Sequence, residues 1–433
     1  MRKLILALAL PALVLLAIVL LWGPADRQEG EAPASLSAEP SGEIERGRAL
    51  VTLADCKACH TARGGFAFAG NRAIPTAFGT FYSPNITPDP ETGIGRWTEE
   101  DFWRALHEGR SPDGTLLYPA FPYPSYTQIS RRDARAMFLY LRSLSPVRAT
   151  RRAHELDFPY NQRLLLTVWR RLYFKPGVYV ANNSASPAWN RGAYLVEALA
   201  HCRGCHTARN GLGATSTRAD ATGGLVLNWY APALNDPREA GLGDWSEQDI
   251  VSLLKAGRTS APDGSVPRAS TMGPMAEVVF ESLQHAAPDE LQAMAVYLKS
   301  LPAAAAAAGT PSARPAPSPA IAAWLEGGRK LYEEHCARCH GDEGEGHSTA
   351  IALAGNRAVT MRSAVNPIRI VLYGGYAPGT AANPRPYGMP PFSHTLDDRQ
   401  IGQILSFIRA GWGNDAALVD SNEIAVQRTG PLW

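Results

Sequence analysis

The sequence predicts a mainly α-helical chain of three consecutive small domains, preceded by an apolar N-terminal segment. Three observations predict it: a Cys-x-x-Cys-His pentapeptide occurs three times, apolar residues recur at helical spacing on both sides of each copy, and the chain begins with an apolar run. A chain of 433 residues also exceeds one ordinary hydrophobic core, which favours several domains.

The three pentapeptides contain every cysteine of the chain. Their spacing is typical of c-type haem attachment, because thiols three positions apart reach both vinyl groups of one porphyrin and the adjacent histidine can bind the iron. We therefore predict three covalently attached haem c groups. The predicted attachment residues are Cys56, Cys59, Cys202, Cys205, Cys336 and Cys339, and the predicted iron ligands are His60, His206 and His340.

Two other uses of Cys-x-x-Cys pairs fit less well. A structural zinc site needs four ligands, and three pairs that lie over a hundred residues apart do not divide into sites of two pairs. A redox dithiol does not need a histidine after every second cysteine. Each repeat is therefore expected to fold as a class-I-like cytochrome c domain, with about three to five helices around its haem.

The N-terminal segment favours a membrane location. Arg2 and Lys3 precede an apolar run of 19 residues from Leu4 to Trp22, an arrangement that directs the following chain outward across a membrane. The run is about long enough to span a bilayer, and the residues after it give no clear cleavage signal. We favour an uncleaved anchor over a signal peptide. Both place the rest of the chain on the periplasmic side of the inner membrane.

Composition and repeats divide the chain into segments, with an Ala/Pro-rich linker between the second and third repeats. The predicted segments are 1–22 (membrane anchor or signal peptide), 23–42 (tether), 43–150 (cytochrome c domain 1), 151–186 (connecting segment), 187–302 (cytochrome c domain 2), 303–318 (linker), 319–412 (cytochrome c domain 3) and 413–433 (C-terminal tail).

Each repeat is predicted to begin with a helix that ends at its first cysteine and to end with an amphipathic helix. The first helices, each with a glycine near its start, are Ile44–Asp55, Trp189–His201 and Trp324–His335; the last include Asp133–Leu141, Glu290–Leu298 and Arg399–Ile408. Middle helices should follow the N-caps Thr98 and Ser246. Leu164–Phe174 should form a helix in the connecting segment, and no periodicity follows Trp412.

The other axial ligand of a c-type haem is often a methionine sulfur, which stabilises Fe(II). In the third repeat, Met389 lies in a proline-flanked loop before the last helix and is the predicted ligand, whereas Met361 is expected to pack. In the second repeat, Met275 is preferred to Met272 because it follows Gly-Pro.

The first repeat has phenylalanine, Phe121, in the comparable loop. Met137 aligns with Met294 and Ile404 in the final helices and is expected to lie in a core. We therefore predict that the first haem lacks methionine ligation. It is either five-coordinate or bound by another group such as His107 or His154, and its potential should be lower than those of the other two haems.

Composition excludes some functions. The formal net charge is +2, and the absence of a basic cluster argues against nucleic-acid binding. No nucleophile triad, Rossmann fingerprint or phosphate loop is apparent, so we assign no catalytic residues.

From about Glu43 to about Asn414 the sequence resembles the tri-haem cytochrome c subunits of membrane-bound bacterial dehydrogenases, of the alcohol, gluconate, sorbitol and aldehyde dehydrogenase type. Besides the haem motifs, the resemblance lies in Tyr82–Trp97, Asp113-Gly114 with Tyr118-Pro119-Ala120, Phe158–Arg163 with Trp169, and Gly388–Phe392. The family's first loop is similar to Tyr-Pro-Ala-Met-Pro-Tyr with an axial methionine. Here that position is Phe121, so the ligand roles carry over to Met275 and Met389 only.

The resemblance implies electron transfer rather than substrate chemistry. A catalytic subunit that uses flavin, pyrroloquinoline quinone or molybdenum would oxidise its substrate, and the haems would pass electrons to membrane ubiquinone or a terminal oxidase. Two rivals remain: a freestanding membrane-tethered electron carrier, and a haem enzyme that uses an open first haem. The second needs a polar distal group, which Phe121 does not supply.

Overall fold

In a computed structural model of the chain, the described residues are 33, 42–215, 223–236, 241–243, 245–260, 266–302 and 318–430. They form a largely helical structure with short antiparallel strands, which confirms the predicted mainly α class. The chain folds into two compact units, residues 1–204 with 210–214 and residues 205–209 with 215–433.

The first unit contains seven helices and a small sheet among its described residues. These are α1 (Glu43–Leu53), α2 (Cys56–Cys59), β1 (Ala73–Thr76), β2 (Gly79–Tyr82), α3 (Glu99–Glu108), α4 (Tyr123–Tyr126), α5 (Arg131–Ser143), β3 (Glu155–Leu156), α6 (Leu165–Tyr173) and α7 (Pro187–Ala193), which continues as a π-helical turn over Tyr194–Leu199. The strands form an antiparallel sheet in the order β1-β2-β3. A short helix, α8 (Arg203–His206), follows.

The second unit carries the rest of the described elements. These are β4 (Gly224–Val226), β5 (Trp229–Ala231), α9 (Glu247–Ala256), β6 (Arg258–Ser260), β7 (Pro267–Ser270), α10 (Pro274–Glu281), α11 (Pro288–Ser300), α12 (Pro319–His335), α13 (Ala337–His340), α14 (Arg357–Thr360), α15 (Val365–Tyr373), β8 (Gly375–Tyr376), β9 (Gly388–Met389), α16 (Asp398–Ala410) and α17 (Ser421–Thr429). A 3-10 turn at Leu283–His285 links α10 to α11.

The first and last helices of two repeats cross at a glycine. A Cβ atom on Gly47 of α1 would collide with the Ala136 carbonyl oxygen of α5, and one on Gly328 of α12 would collide with the Gln403 carbonyl oxygen of α16. Only glycine lets the two backbones approach so closely. The helix pairs predicted from the repeats therefore fold as matching crossed pairs.

A buried polar network fixes α1, α5 and the turn after α7 to one another. The Arg46 guanidinium donates from Nε to Asp133 Oδ1 at 3.0 Å, and the Tyr194 hydroxyl donates to Asp133 Oδ2 at 2.6 Å. The Asp133 side chain is wholly buried, so its charge is compensated by these two donors and not by water. Tyr194 follows α7, and the network thus ties the first repeat to the chain leading into the second motif.

The middle helices have the predicted caps. Thr98 and Ser246 each form a capping box with the aspartate three residues later, Asp101 and Asp249. The hydroxyl accepts from one orphan backbone N–H of the first turn while the carboxylate accepts from the other, which fixes where α3 and α9 begin. Both helix starts follow from the sequence alone.

The end of the chain departs from the prediction. Residues after Trp412 were expected to lack regular structure, whereas α17 forms there behind an Asp420 capping box with Glu423. Ile424 is fully buried in the core of the third repeat, together with Val419. The prediction was wrong because Ile424 is the one side chain that this helix buries, and one side chain produces no periodic pattern.

No helix among the described residues is long and apolar enough to cross a membrane. The predicted anchor at 1–22 and most of the predicted linker at 303–318 lie outside those residues.

Candidate haem-binding sites

The first motif begins where α1 ends. Asp55 takes a left-handed backbone conformation (φ 54°), which stops α1 and starts the one-turn helix Cys56–Cys59. The next residue, His60, places Nδ1 2.7 Å from the carbonyl oxygen of Pro84. A carbonyl oxygen only accepts, so Nδ1 carries the proton and Nε2 keeps the lone pair that an iron needs.

The other two motif histidines make the same contact. His206 Nδ1 lies 2.8 Å from the Pro232 carbonyl oxygen, and His340 Nδ1 lies 2.9 Å from that of Ile351. Loss of water around the rings lowers the pKa of all three histidines, which keeps each ring neutral and able to coordinate. Orientation of a ligand histidine by a backbone acceptor is usual in metal proteins. The donor set therefore fits haem iron.

The cysteines suit thioether attachment. All six lie within the described residues, and none of them is in a disulfide. Burial raises the pKa of the Cys336 thiol to about 12 and raises that of Cys56 further still. The buried environments of Cys56 and Cys336 therefore disfavour a charged thiolate and favour an uncharged sulfur. A thioether has such an uncharged sulfur. The described part of the chain has no group of three or more His, Cys, Asp or Glu side chains that could complete a zinc site.

The predicted axial methionines sit in different local structures. Met389 belongs to β9, pairs with Gly375 of β8, and packs partly buried against the core of the third repeat. Met275 is the second residue of α10 and is partly buried. Met272 instead packs its methyl group against Gly375, 2.9 Å from where a Cβ would lie. This contact favours Met275 as the ligand of the second repeat, and both assignments stay predictions.

The other methionines lie in cores, as expected. Met137 is 1% exposed and Met294 is fully buried, and Ile404 at the matching place in α16 is 1% exposed. Met361 is 2% exposed, and its carbonyl oxygen accepts from Arg409. These side chains are enclosed by packing, which confirms their interpretation as core residues.

In the first repeat, the ring of Tyr126 connects Phe121 to the chain just before the motif. It packs edge-on against Tyr126 at 5.5 Å, and the Tyr126 hydroxyl donates to the carbonyl oxygen of Ala54, two residues before Cys56. The loop thus brings an apolar ring to the place where the family has sulfur.

His107 and His154, the two histidines considered as alternative ligands of the first haem iron, differ in tautomer. His154 Nδ1 accepts from the backbone N–H of Tyr82 at 3.1 Å, and burial with the charges of Arg151 and Arg163 lowers its pKa to about 4. A neutral ring that accepts at Nδ1 carries its proton on Nε2, so His154 has no lone pair for iron. His107 instead donates from Nδ1 to the Thr127 carbonyl oxygen at 2.9 Å while stacking on Trp103. Of the two, only His107 has the tautomer of a ligand.

The carbonyl groups that orient the histidines are the part of the site that sequence reasoning missed. A backbone acceptor leaves no mark of its own in a sequence. The signal that could have found two of them is the shared pattern Tyr82-Ser83-Pro84 and Tyr230-Ala231-Pro232, since each proline follows a short hairpin strand. The third acceptor, Ile351, lies in a loop without that pattern.

Comparison with known proteins decides the family. The sequence profile of the family described as Cytochrome c matches residues 44–145 and 325–412, which hold the first and third motifs. The cytochrome c subunit of a quinone-dependent alcohol dehydrogenase from Gluconobacter oxydans (strain 621H) is 37% identical over 401 residues, covering 89% of this chain and 82% of the relative. The chain belongs to the cytochrome c subunits of dehydrogenases.

Other subunits of this family are similar over nearly their full length. The fructose dehydrogenase cytochrome subunit of Gluconobacter japonicus is 35% identical over 448 residues, covering 97% of this chain and 90% of the relative. The gluconate 2-dehydrogenase cytochrome c subunit of Pantoea cypripedii is 36% identical over 406 residues and 89% of each chain. As a cytochrome c, this subunit binds haem covalently at Cys-x-x-Cys-His.

Proposed function

We propose that this cytochrome c subunit carries electrons through three covalent haems, on the periplasmic side of the inner membrane, from a dehydrogenase catalytic subunit to ubiquinone or a terminal oxidase. The observation that carries the proposal is the threefold Nδ1-to-carbonyl contact of His60, His206 and His340. It gives the second motif the same ligand geometry as the two motifs that the family profile matches.

The chain's own part in this function is to hold and separate the haems. A bound haem supplies a one-electron couple, and the protein sets its position and potential. The three carbonyl acceptors keep Nε2 of each histidine available. The partly buried Met275 and Met389 are proposed to give two haems a sulfur ligand. Phe121 itself supplies no polar distal group, which weighs against peroxide chemistry at the first haem.

Packing supports close spacing of the first and second motifs. Within the first unit, Tyr126 donates its hydroxyl to Ala54, two residues before Cys56, and packs its ring against His201, one residue before Cys202, at 5.3 Å. The buried Tyr126 side chain therefore contacts a residue just before each of the two motifs.

The second and third repeats are also joined directly, within the second unit. The Asn366 side chain of α15 accepts from the backbone N–H of Tyr230 at 2.8 Å and donates to its carbonyl oxygen at 2.7 Å. Arg357 donates to the carbonyl oxygen of Gly241 at 2.9 Å. These bonds fix the third repeat to the strand β5 that leads to Pro232, and so support a defined spacing of the haems at His206 and His340.

The partner is proposed from the family. The relatives are cytochrome subunits of alcohol, fructose and gluconate dehydrogenases, so a dehydrogenase catalytic subunit is the expected electron donor. Its substrate, and its use of flavin, pyrroloquinoline quinone or molybdenum, stay open.

Membrane attachment is proposed from residues 1–22. Mass spectrometry of the mature N-terminus tests it: an intact N-terminus supports the anchor, and a mature chain that starts near Ala34 would reject it.

Purification of the full-length chain from its native membrane tests the complete proposal. A dehydrogenase subunit should elute with the cytochrome, its substrate should reduce the haems, and added ubiquinone analogue should reoxidise them. A matched variant, Cys205→Ala, should keep the partner and lose most of the reoxidation, because the middle haem is missing. Elution of the cytochrome alone would favour a freestanding carrier.

A further inference from the structure

One buried cation of the second unit is not compensated by any described residue. Arg369 on α15 is 2% exposed, yet its Nε and Nη1 atoms have no hydrogen-bond partner among the described residues. Its guanidinium lies between two aromatic rings, 5.3 Å from the centre of Trp229 and 5.5 Å from that of Tyr373. Aromatic faces attract the cation but leave its N–H donors unmet.

Such a group needs an anion. Loss of water around the side chain lowers the pKa of Arg369, but a guanidinium stays charged at any physiological pH. A buried charge without a partner is strongly destabilising, whereas a carboxylate that accepts its N–H groups compensates it. The described residues place no carboxylate in an ion pair with Arg369, so the anion should come from outside the described part of the chain.

Trp229 connects Arg369 to the second haem site. The strand β5 begins at Trp229 and ends one residue before Pro232, whose carbonyl oxygen orients His206. The same indole packs on Gly273, where an added Cβ would lie 2.6 Å from the ring, and Gly273 is two residues before Met275. The guanidinium therefore lies beside a residue whose strand leads to the carbonyl that orients His206 and whose ring packs next to the segment that carries Met275.

Apolar side chains of α15 pack in the core of the third repeat. Ile368 and Leu372 are 1% and 0% exposed in its core, with Val371 packed beside them. Arg369 instead contacts Trp229 of the second repeat. Arg369 is thus part of the third repeat, but its guanidinium contacts a residue of the second repeat, close to the second haem site.

We propose that Arg369 forms an ion pair with a propionate of the haem held by His206. The inference rests on the proposed function, because it needs a haem at the second motif. A propionate is the carboxylate that a haem brings, and its planar oxygens match the fork of a guanidinium. The pair would let the third repeat set the potential of the second haem, since loss of a nearby cation favours the more positive ferric state.

Redox titration of the full chain with Arg369→Gln tests the ion pair. In the wild type, the potential of the second haem should stay constant between about pH 6 and pH 8, because the cation holds the propionate ionised. In the variant, the unpaired propionate should titrate in this range, and at pH 8 the ratio of reduced to oxidised second haem should fall roughly tenfold at a fixed ambient potential, about 59 mV for one electron. Arg369→Lys should restore most of this ratio.

Two controls separate this result from a loss of fold or of charge. Arg385→Gln removes an exposed arginine of the same repeat and should leave the potentials unchanged. A pyridine haemochrome count on each variant shows that all haems are bound. If the wild type binds three haems but Arg369→Gln moves no potential, or moves only that of the haem at His340, the ion pair is refuted while the proposed function stands. If the second haem is missing from the wild type, the proposed function itself fails.

Discussion

At the scale of single residues, each motif histidine depends on one backbone carbonyl. The acceptors Pro84, Pro232 and Ile351 lie 2.7–2.9 Å from the respective Nδ1 atoms. The arrangement fixes the tautomer without a charged partner, so it orients the ring while adding no negative charge beside the iron. The differences among the three haems should therefore come mainly from the other axial ligand and from nearby charges.

Phe121 is the residue that should set the first haem apart. Phe121→Met restores the family's loop and should give this haem a sulfur ligand, raising its potential because thioether sulfur stabilises Fe(II). Absorption spectra of the oxidised protein should gain a third increment of the methionine-to-iron charge-transfer band, beside those expected from Met275 and Met389. Phe66→Met, at a ring that is 74% exposed in the same repeat, is the matched control. An unchanged band and potential in Phe121→Met would show that the loop does not face the iron.

Asp133 is the residue on which the buried network of the first unit depends. Asp133→Asn removes the carboxylate charge that compensates Arg46 and should lower the free energy of unfolding by about 3–5 kcal/mol. Urea denaturation measures the change. The exposed pair of Arg48 and Glu45 offers the contrast, since Glu45→Gln should cost about 1 kcal/mol or less. Equal effects of the two substitutions would contradict the role of burial.

At the scale of elements, the crossing of the first and last helices shapes the first and third repeats. Gly328→Ala would press a methyl group into the Gln403 carbonyl of α16 and should destabilise the third repeat by about 1–3 kcal/mol. Gly379→Ala is the control, because that glycine has nothing within 4 Å of its added Cβ. Thermal melting followed at the haem absorption band compares the two. A melting temperature of Gly328→Ala equal to that of the control would argue against a close crossing.

Elements with strong local signals were predictable from the sequence. The helices before the motifs, the capped middle helices and the final amphipathic helices all carry a cap or an apolar period, and the structure has each of them. The short hairpin strands and α17 were missed because two to four paired residues, or one buried Ile424, leave no period to detect. The Asp420 and Glu423 spacing was the available signal for α17.

The candidate haem sites likewise contain residues that the sequence predicts and residues that it does not. Cysteine and histidine positions follow from covalent chemistry, which demands fixed spacing, so the sequence alone names them. Arg369 could not be predicted in this way, because its proposed role depends on its burial beside Trp229, a residue 140 positions earlier in the chain. Contacts between repeats depend on tertiary packing, and a single sequence does not display them.

At the scale of the whole molecule, the proposed function is that of a relay of three iron centres. Tyr126 touches the approaches to the first two motifs, and Asn366 with Arg357 joins the second and third repeats. An electron entering at one end could then pass along the chain without leaving the protein. Without a sulfur ligand, the first haem should have the lowest potential of the three.

The central claim is that haem is bound by thioether bonds at all three motifs. A pyridine haemochrome assay on the purified full-length chain, combined with the intact mass after acid-acetone extraction, tests it most directly. We expect three haems per polypeptide, all retained after extraction. A count below three, or pigment released by the acid acetone, would contradict it.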